Sequence, residues 1–310
     1  MKKIQIGTSG IYASAVGLGC ARMSQVSVEQ AREVISASLD MGVNIFDHAD
    51  AYGFGMSEKV FTDAVKGINV TRDQMILQSK VTIRELDTPR QYYDHRREHI
   101  LRSVDESLQR LNTDYLDILL LHRPDALTEP EEVAEAFESL RAGGKVRYFG
   151  VSNYNRFQIE LLQKYLPEKL IVDQVQFNPA HTFMLDAGFC TNMNNDQAVM
   201  RGDGGLIEYC RMEKMTIQAY SPFQYGLLEG PFVGSEKYPA LNMKLEELSK
   251  KYDVPVDAIV IAWILRHPAK MQPFPGSMKA CRIREAVQGA DIELEPHEWY
   301  EVYKASHYLP

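Results

Sequence analysis

The order of elements in this sequence limits its fold more than any single motif does. Short apolar runs alternate with longer amphipathic stretches along most of the chain. The runs cover residues 16–20, 43–47, 75–80, 115–121, 148–152, 171–177, 216–220 and 271–275. Helical spacing fills the gaps over 28–41, 97–111, 131–142 and 157–165; in the second of these Ile100, Leu101, Val104, Leu108 and Leu111 share one face. Two helical stretches, 241–252 and 256–266, precede the last run, so one helix is extra there. Strands that alternate with helices predict a parallel sheet, and strands without polar alternation predict that both sheet faces are covered. Eight such units at this length predict a closed (β/α)8 TIM barrel, one domain over 1–310. An open doubly wound sheet is the alternative. It would favour a G-x-G-x-x-G turn after an early strand, whereas the nearest approach here is Gly53-Phe54-Gly55. The weakly patterned stretch 178–205 predicts a long loop after the sixth strand, a feature that is usually functional.

Composition narrows the partners. A net charge of -8 argues against nucleic acid or an anionic membrane surface, while leaving room for an anionic small ligand at a local basic site. The four cysteines, Cys20, Cys190, Cys210 and Cys281, are scattered and suggest neither a disulfide framework nor a zinc site. The opening MKKIQIGTSGIYAS lacks the apolar core of a signal peptide, and no apolar run reaches membrane-spanning length. A cytoplasmic protein acting on a small molecule is expected. No interface stripe that would fix an oligomeric state stands out.

Ionisable residues close three successive apolar runs. Asp47 ends the second, Lys80 the third, and His122 follows the fourth, with Tyr52 in the loop just past Asp47. In a barrel those ends share one mouth, where chemistry sits. Each residue alone has a structural reading, as a turn residue, a solvated edge or a satisfied core histidine. Together they form a proton donor with its tuner. A phenol ordinarily titrates near pH 10, and a neighbouring ammonium favours phenolate, so Lys80 is expected to lower the Tyr52 pKa. Asp47 would hold Lys80, and His122 would direct a hydrogen bond at a substrate oxygen. The group lacks a reductant, which a cofactor must bring. Asp50 is expected to brace the following loop, and His48 has no assigned role.

These residues resemble the signature of the aldo-keto reductase superfamily, nearest to a YdhF-like bacterial oxidoreductase branch. The match is carried by "FDHADAYG" with Ser57-Glu58, "GKVRYFGVSNY", "VDQVQFNP" and "LLLHRPDALTEPEEVAEAF". The resemblance implies a (β/α)8 enzyme that reduces aldehydes or ketones with NADPH, with Asp47, Tyr52, Lys80 and His122 as its catalytic tetrad. It implies that Ser152, Asn153 and Gln174 hold the nicotinamide amide and that Tyr220 stacks on the ring. Ser221, Phe223, Gly226 and Leu227 would wrap the pyrophosphate, with Gly19 and Cys20 opposite. Gly276, Ser277, Arg282 and Glu285 would take the adenosine end, Arg282 reading the 2′-phosphate. Many members carry Lys in place of Gly276 and Asn in place of Ala286, which weakens that end here. Substrate walls are expected from Phe54, Phe183 and Phe223 with the 178–205 loop.

Other readings remain open. Ser152-Asn153 also suits a helix cap, Pro275-Gly276-Ser277 a plain turn, and Arg282 a solvated helix face. A metal-dependent barrel hydrolase would use Asp47, His48, Asp50 and His122 as ligands, but an H-x-H on the first strand is absent, and no metal is expected. A cofactor-binding redox sensor with little turnover is the second rival, because fold alone does not decide function.

Overall fold

A computed structural model describes residues 1–86, 89–189, 205–225 and 230–306. Its centre is a parallel sheet of eight strands: β1 Leu18–Gly19, β2 Ile45–Asp47, β3 Ile76–Val81, β4 Leu116–Leu121, β5 Val146–Ser152, β6 Val172–Gln176, β7 Thr216–Tyr220 and β8 Gln272–Phe274. Neighbours in sequence are neighbours in space. The ring closes where Gly17 and Gly19 donate their amides to the Pro273 and Pro275 carbonyls, each at 3.0 Å. This is the expected (β/α)8 barrel.

Helices cover its outside. They are α1 Val28–Asp40, α2 Met56–Val65, α3 Arg97–Leu111, α4 Pro130–Ala142, α5 Arg156–Gln163, α6 Phe183–Phe189, α7 Leu206–Glu213, α8 Pro239–Tyr252, α9 Val256–Arg266, α10 Ala280–Val287 and α11 Pro296–Lys304. Local chemistry sets their ends. Ser27 caps α1 by accepting from the Gln30 amide, and Asn155 with Gln158 forms a reciprocal capping box on α5. Asn112, left-handed at φ 49°, stops α3. The α3 stripe packs as its spacing predicts: Ile100 and Val104 are fully buried and Leu108 and Leu111 nearly so. Removing one such side chain costs about 2–5 kcal/mol. Two helices, α8 and α9, precede β8, as the sequence indicated.

An antiparallel hairpin, Lys3–Gln5 with Tyr12–Ser14, lies across one end of the barrel. Its Gly7 amide donates to Thr216 Oγ1 at 2.8 Å. A Cβ on Gly7 would stand 2.5 Å from the Ile171 carbonyl oxygen, and its φ is +54°, so both space and backbone require glycine. Among the described residues no helix is long and apolar enough to cross a membrane.

Candidate active site

The loop after β2 stays zipped to β3. The His48 amide donates to the Gln78 carbonyl at 2.8 Å, and the Asp50 amide to the Lys80 carbonyl at 3.0 Å. The chain then turns back, which returns Tyr52 to Lys80. At the centre lies the Lys80 ammonium, fully buried. It donates to both Asp47 oxygens at 2.7 Å, to the His48 carbonyl at 2.8 Å and to Tyr52 Oη at 3.1 Å. His122 stands edge-on to the Tyr52 ring, with centroids 5.6 Å apart. Asp47, Tyr52, Lys80 and His122 therefore meet at one mouth.

Charge follows from burial and neighbours. For Lys80, burial acts to lower the pKa, but Asp47 and Tyr52 outweigh it and the ammonium is held above its usual value. His122 is pushed well below the usual histidine range by burial, then by Lys80 and Arg123, so its ring is neutral and one nitrogen carries a proton to donate. Tyr52 corrects one expectation. Burial pushes its phenol above the usual value; Lys80 pulls it down as expected, but by less. The low-dielectric pocket disfavours phenolate more than one ammonium, itself shared with Asp47, favours it.

Glu58, in the helix that follows the loop, is held by two neighbours. Ser79 Oγ donates to Glu58 Oε1 at 2.7 Å, and Arg110 binds Glu58 Oε2 at 2.7 Å, tying α2 to β3 and α3. Asp50 Oδ1 is buried without a partner, and its carboxyl is pushed up to about 7 by burial and then by Glu58. His48 turns away from the mouth and packs edge-on against Phe61 at 4.5 Å. Burial, with Lys80, lowers it to about 3. Asp47 is engaged by Lys80 and His48 faces a phenyl ring, so these two do not converge as metal ligands.

The residues expected around a cofactor form a second group beside the tetrad. Asn153, left-handed at φ 63°, donates from Nδ2 to Ser152 Oγ at 2.9 Å and accepts at Oδ1 from the Tyr220 hydroxyl at 2.9 Å. Ser152 Oγ donates to the Gln174 carbonyl at 2.8 Å. Side-chain amide, hydroxyl and phenol groups thus converge at the ends of β5, β6 and β7. That donor set fits a carboxamide, which needs one donor and one acceptor. Gly19 and Gly276 face each other across the ring closure, and a Cβ on Gly276 would stand 3.5 Å from the Gly19 carbonyl oxygen. The Cys20 thiol is buried in the core, so only the backbone there is available. Ser221 is left-handed at φ 51°, and Phe223 packs partly against the core. Gly226 and Leu227 lie outside the described residues.

Arg282, expected at the adenosine end, is an exposed residue of α10 with one ion-pair partner among the described residues. It pairs with the buried Asp257 at 3.4 Å while its side chain stays 46% exposed. Glu285 is half-buried on the same helix, whereas Ala286 is fully buried and offers no surface. Ser277 Oγ accepts from the Lys279 amide at 3.3 Å at the start of α10. Among the described residues, two of the three aromatics expected to line a substrate site have distinct neighbours. Phe54 borders a cavity of about 400 Å³ with Ala51, Ile83, Arg84, His99 and Arg110, while Phe183 packs on His181 at 4.2 Å. Most of the 178–205 loop, residues 190–204, lies outside the described residues.

Sequence reasoning missed several groups. Arg123, next to His122, places its guanidinium beside the Tyr220 hydroxyl. Arg22 reaches across the mouth to Gln224 Oε1 at 2.8 Å. Gln78, Gln218 and Gln272 are fully buried in the barrel interior, Gln78 level with Asp47. The arginines each follow a strand end by a few residues, which is a usable signal; the glutamines gave none.

Comparison with known proteins agrees with this geometry. The Aldo/keto reductase family matches residues 15–307. Oxidoreductase YdhF of Escherichia coli is 33% identical, covering 99% of this chain and 98% of that protein. A 6-dehydroglucose reductase of Novosphingobium aromaticivorans is 31% identical, covering 97% and 94%. A crystal structure of an aldo/keto reductase from Klebsiella pneumoniae, in complex with NADP and acetate, superposes with a TM-score of 0.76 at 25% identity, covering 98% of this chain and 95% of that one. A buried lysine joining an aspartate to a tyrosine, at the mouth of a barrel that matches these proteins along its length, places the chain in the aldo/keto reductase family.

Proposed function

We propose that the protein is an NADPH-dependent carbonyl reductase in which Tyr52 is the proton donor. The observation that carries this reading is the Lys80 ammonium, buried and shared between Asp47 at 2.7 Å and Tyr52 at 3.1 Å. NADPH, when bound, supplies the hydride to the carbonyl carbon. The neutral His122 ring donates a hydrogen bond to the carbonyl oxygen and polarises it. Tyr52 Oη then gives its proton to that oxygen, and Lys80 stabilises the phenolate left behind. The raised phenol pKa suits this order, because Tyr52 keeps its proton until an acceptor arrives. Lys80 stays cationic throughout because Asp47 holds it.

Ser152, Asn153 and Gln174 would hold the carboxamide, and the Tyr220 ring would support the nicotinamide. Ser221 and Phe223, with Gly226 and Leu227, would enclose the pyrophosphate. Gly276, Ser277, Arg282 and Glu285 would hold the adenosine end, with Gly19 and Cys20 contributing backbone. NADP in the Klebsiella relative and the sugar carbonyl named in the Novosphingobium relative support this class of cofactor and substrate.

Tyr52→Phe tests the reading. It should lower kcat by about 10²–10⁴, the usual range for a general acid, and leave NADPH affinity nearly unchanged in fluorescence titration. A variant with wild-type turnover, under conditions where chemistry limits the rate, would sink the assignment. Tight NADPH binding with no turnover across an aldehyde panel would favour the redox-sensing alternative.

A further inference from the structure

Four glutamines fill one level of the barrel interior. Gln174, Gln218 and Gln272 are consecutive register partners on β6, β7 and β8, and Gln78 sits on β3, in register with Asp47. All are 0–1% exposed. Gln78 Nε2 donates to Asp47 Oδ1 at 2.6 Å and to Gln218 Oε1 at 2.8 Å, across the barrel. Gln174 Nε2 donates to the same Gln218 oxygen at 3.2 Å. Gln218 Nε2 donates to Gln272 Oε1 at 3.0 Å, and Gln272 Nε2 to the Ser14 carbonyl at 2.7 Å.

The direction of every amide in this chain follows from its ends. Asp47, bound through both oxygens to an ammonium, accepts; so does a backbone carbonyl. Gln78 must therefore present its NH₂ to Asp47. The second N–H of that group then demands an oxygen from Gln218, which leaves Gln218 its own NH₂ for Gln272. The same logic fixes Gln174. Its NH₂ faces Gln218, so its Oε1 is the atom left for a ligand at the mouth. A flipped amide anywhere would set donor against donor or acceptor against acceptor in a buried interior, at a cost of about 1–3 kcal/mol.

We propose that Gln218 is a positioning residue whose single side-chain oxygen joins the two halves of the site, Gln78 with Asp47 on one side and Gln174 on the other. The proposal rests on the reductase reading for the roles of Asp47 and Gln174. Through Gln78 it holds the carboxylate that orients Lys80 toward Tyr52. Through Gln174 it sets which amide atom meets the cofactor. Proton-donor tuning and cofactor orientation are then one hydrogen-bonded unit, although Asp47 and Gln174 are on β2 and β6.

The test is Gln218→Met, which keeps length and volume and removes the acceptor. Two readouts are taken on the purified protein. One is the Tyr52 titration without cofactor, by NMR of tyrosine labelled at Cζ, with the signal assigned by Tyr52→Phe. The other is the NADPH Kd by fluorescence. Loss of the hub frees Gln78 and leaves the Asp47 charge less screened, which raises the phenol pKa. Loss of the Gln174 contact weakens NADPH about three- to tenfold, the worth of one neutral hydrogen bond. A lower unfolding temperature with both readouts unchanged marks a purely structural role and overturns the proposal. A change in one readout alone overturns it too, because the two halves would then be independent. If Gln218→Met does not fold, Gln78→Met cuts the same unit on the Asp47 side. It should raise the Tyr52 pKa and weaken NADPH by a smaller factor; no Tyr52 shift overturns the proposal. If wild type binds no NADPH, the reductase reading fails while the Tyr52 titration still tests the Gln78–Asp47 side.

Discussion

Two buried aspartates of one sheet show how differently a carboxyl group can be held. Asp47 on β2 points into the barrel, 3% exposed, with the Lys80 ammonium on both oxygens and Gln78 on one. Asp173 on β6 is 0% exposed, and neither of its oxygens has a partner of normal hydrogen-bond geometry. Burial pushes its acid well above the usual carboxylate range, and the nearby Tyr154 amide only partly opposes this. The protonated carboxyl is favoured there over the carboxylate. Burial, with Asp173 nearby, raises the Cys210 thiol as well. The contrast is one of partners: Asp47 has a cation on both oxygens, whereas Asp173 has none, unlike the outer Asp117, which pairs with Arg72 at 2.8 Å and Arg147 at 3.1 Å. Asp257 lies between these extremes, 5% exposed, with Arg282 at 3.4 Å.

Substitution by asparagine separates the two aspartates. Asp47→Asn strands a buried ammonium, and breaking such a pair costs about 3–5 kcal/mol. Asp173→Asn puts a neutral amide where burial favours a neutral carboxyl and should cost about 1 kcal/mol or less. Urea unfolding at neutral pH compares them, and equal losses would break the distinction. The pH dependence sharpens it. The folded pKa of Asp173 is raised, so its contribution is complete below the ordinary carboxylate range and is lost as pH rises toward the folded pKa. The unfolded chain releases a proton there that the folded protein keeps. Stability should fall by up to about 1.4 kcal/mol per pH unit from this group, and Asp173→Asn should remove that slope. Parallel stability–pH curves for wild type and variant would show that Asp173 is not held neutral.

The intermediate case gives smaller effects. Arg282→Ala should weaken NADPH about ten- to a hundredfold at low salt, and NADH much less, since a charged hydrogen bond is worth roughly 1.5–3 kcal/mol. Equal losses for both cofactors would mean that Arg282 does not read the 2′-phosphate. Asp257→Asn releases the guanidinium from its ion pair and should tighten NADPH by less than about tenfold. Weaker binding in that variant would show that Asp257 holds Arg282 in its binding pose.

What the sequence disclosed tracks what periodicity encodes. The eight strands were legible because strands covered on both faces read as apolar runs, and Asp47, Lys80 and His122 stood out by ending such runs. Gln78, Gln218 and Gln272 were hidden for the opposite reason: a polar residue inside a strand reads as an ordinary outward position. Nothing local says that Asp173 faces the helices while Gln174 faces the interior. The Arg282–Asp257 pair joins two helices across β8, and no motif spacing announces it. The direction of the Tyr52 shift needed the depth of the pocket, because Lys80 and burial pull oppositely and only geometry decides between them.

The hairpin across the barrel end has a kinetic consequence. It ties Gly7 to Thr216, and the Ser14 carbonyl that receives Gln272 lies at the hairpin's edge. Contacts this distant in sequence form only after most of the chain has been gathered, and the entropy of closing such long loops slows folding. The amide chain that orients Asp47 ends on that last contact. Competence for proton transfer should therefore appear with ring closure rather than with the burial of helices. In a refolding experiment, the Trp263 and Trp299 signals of the helical layer should recover before carbonyl reduction does.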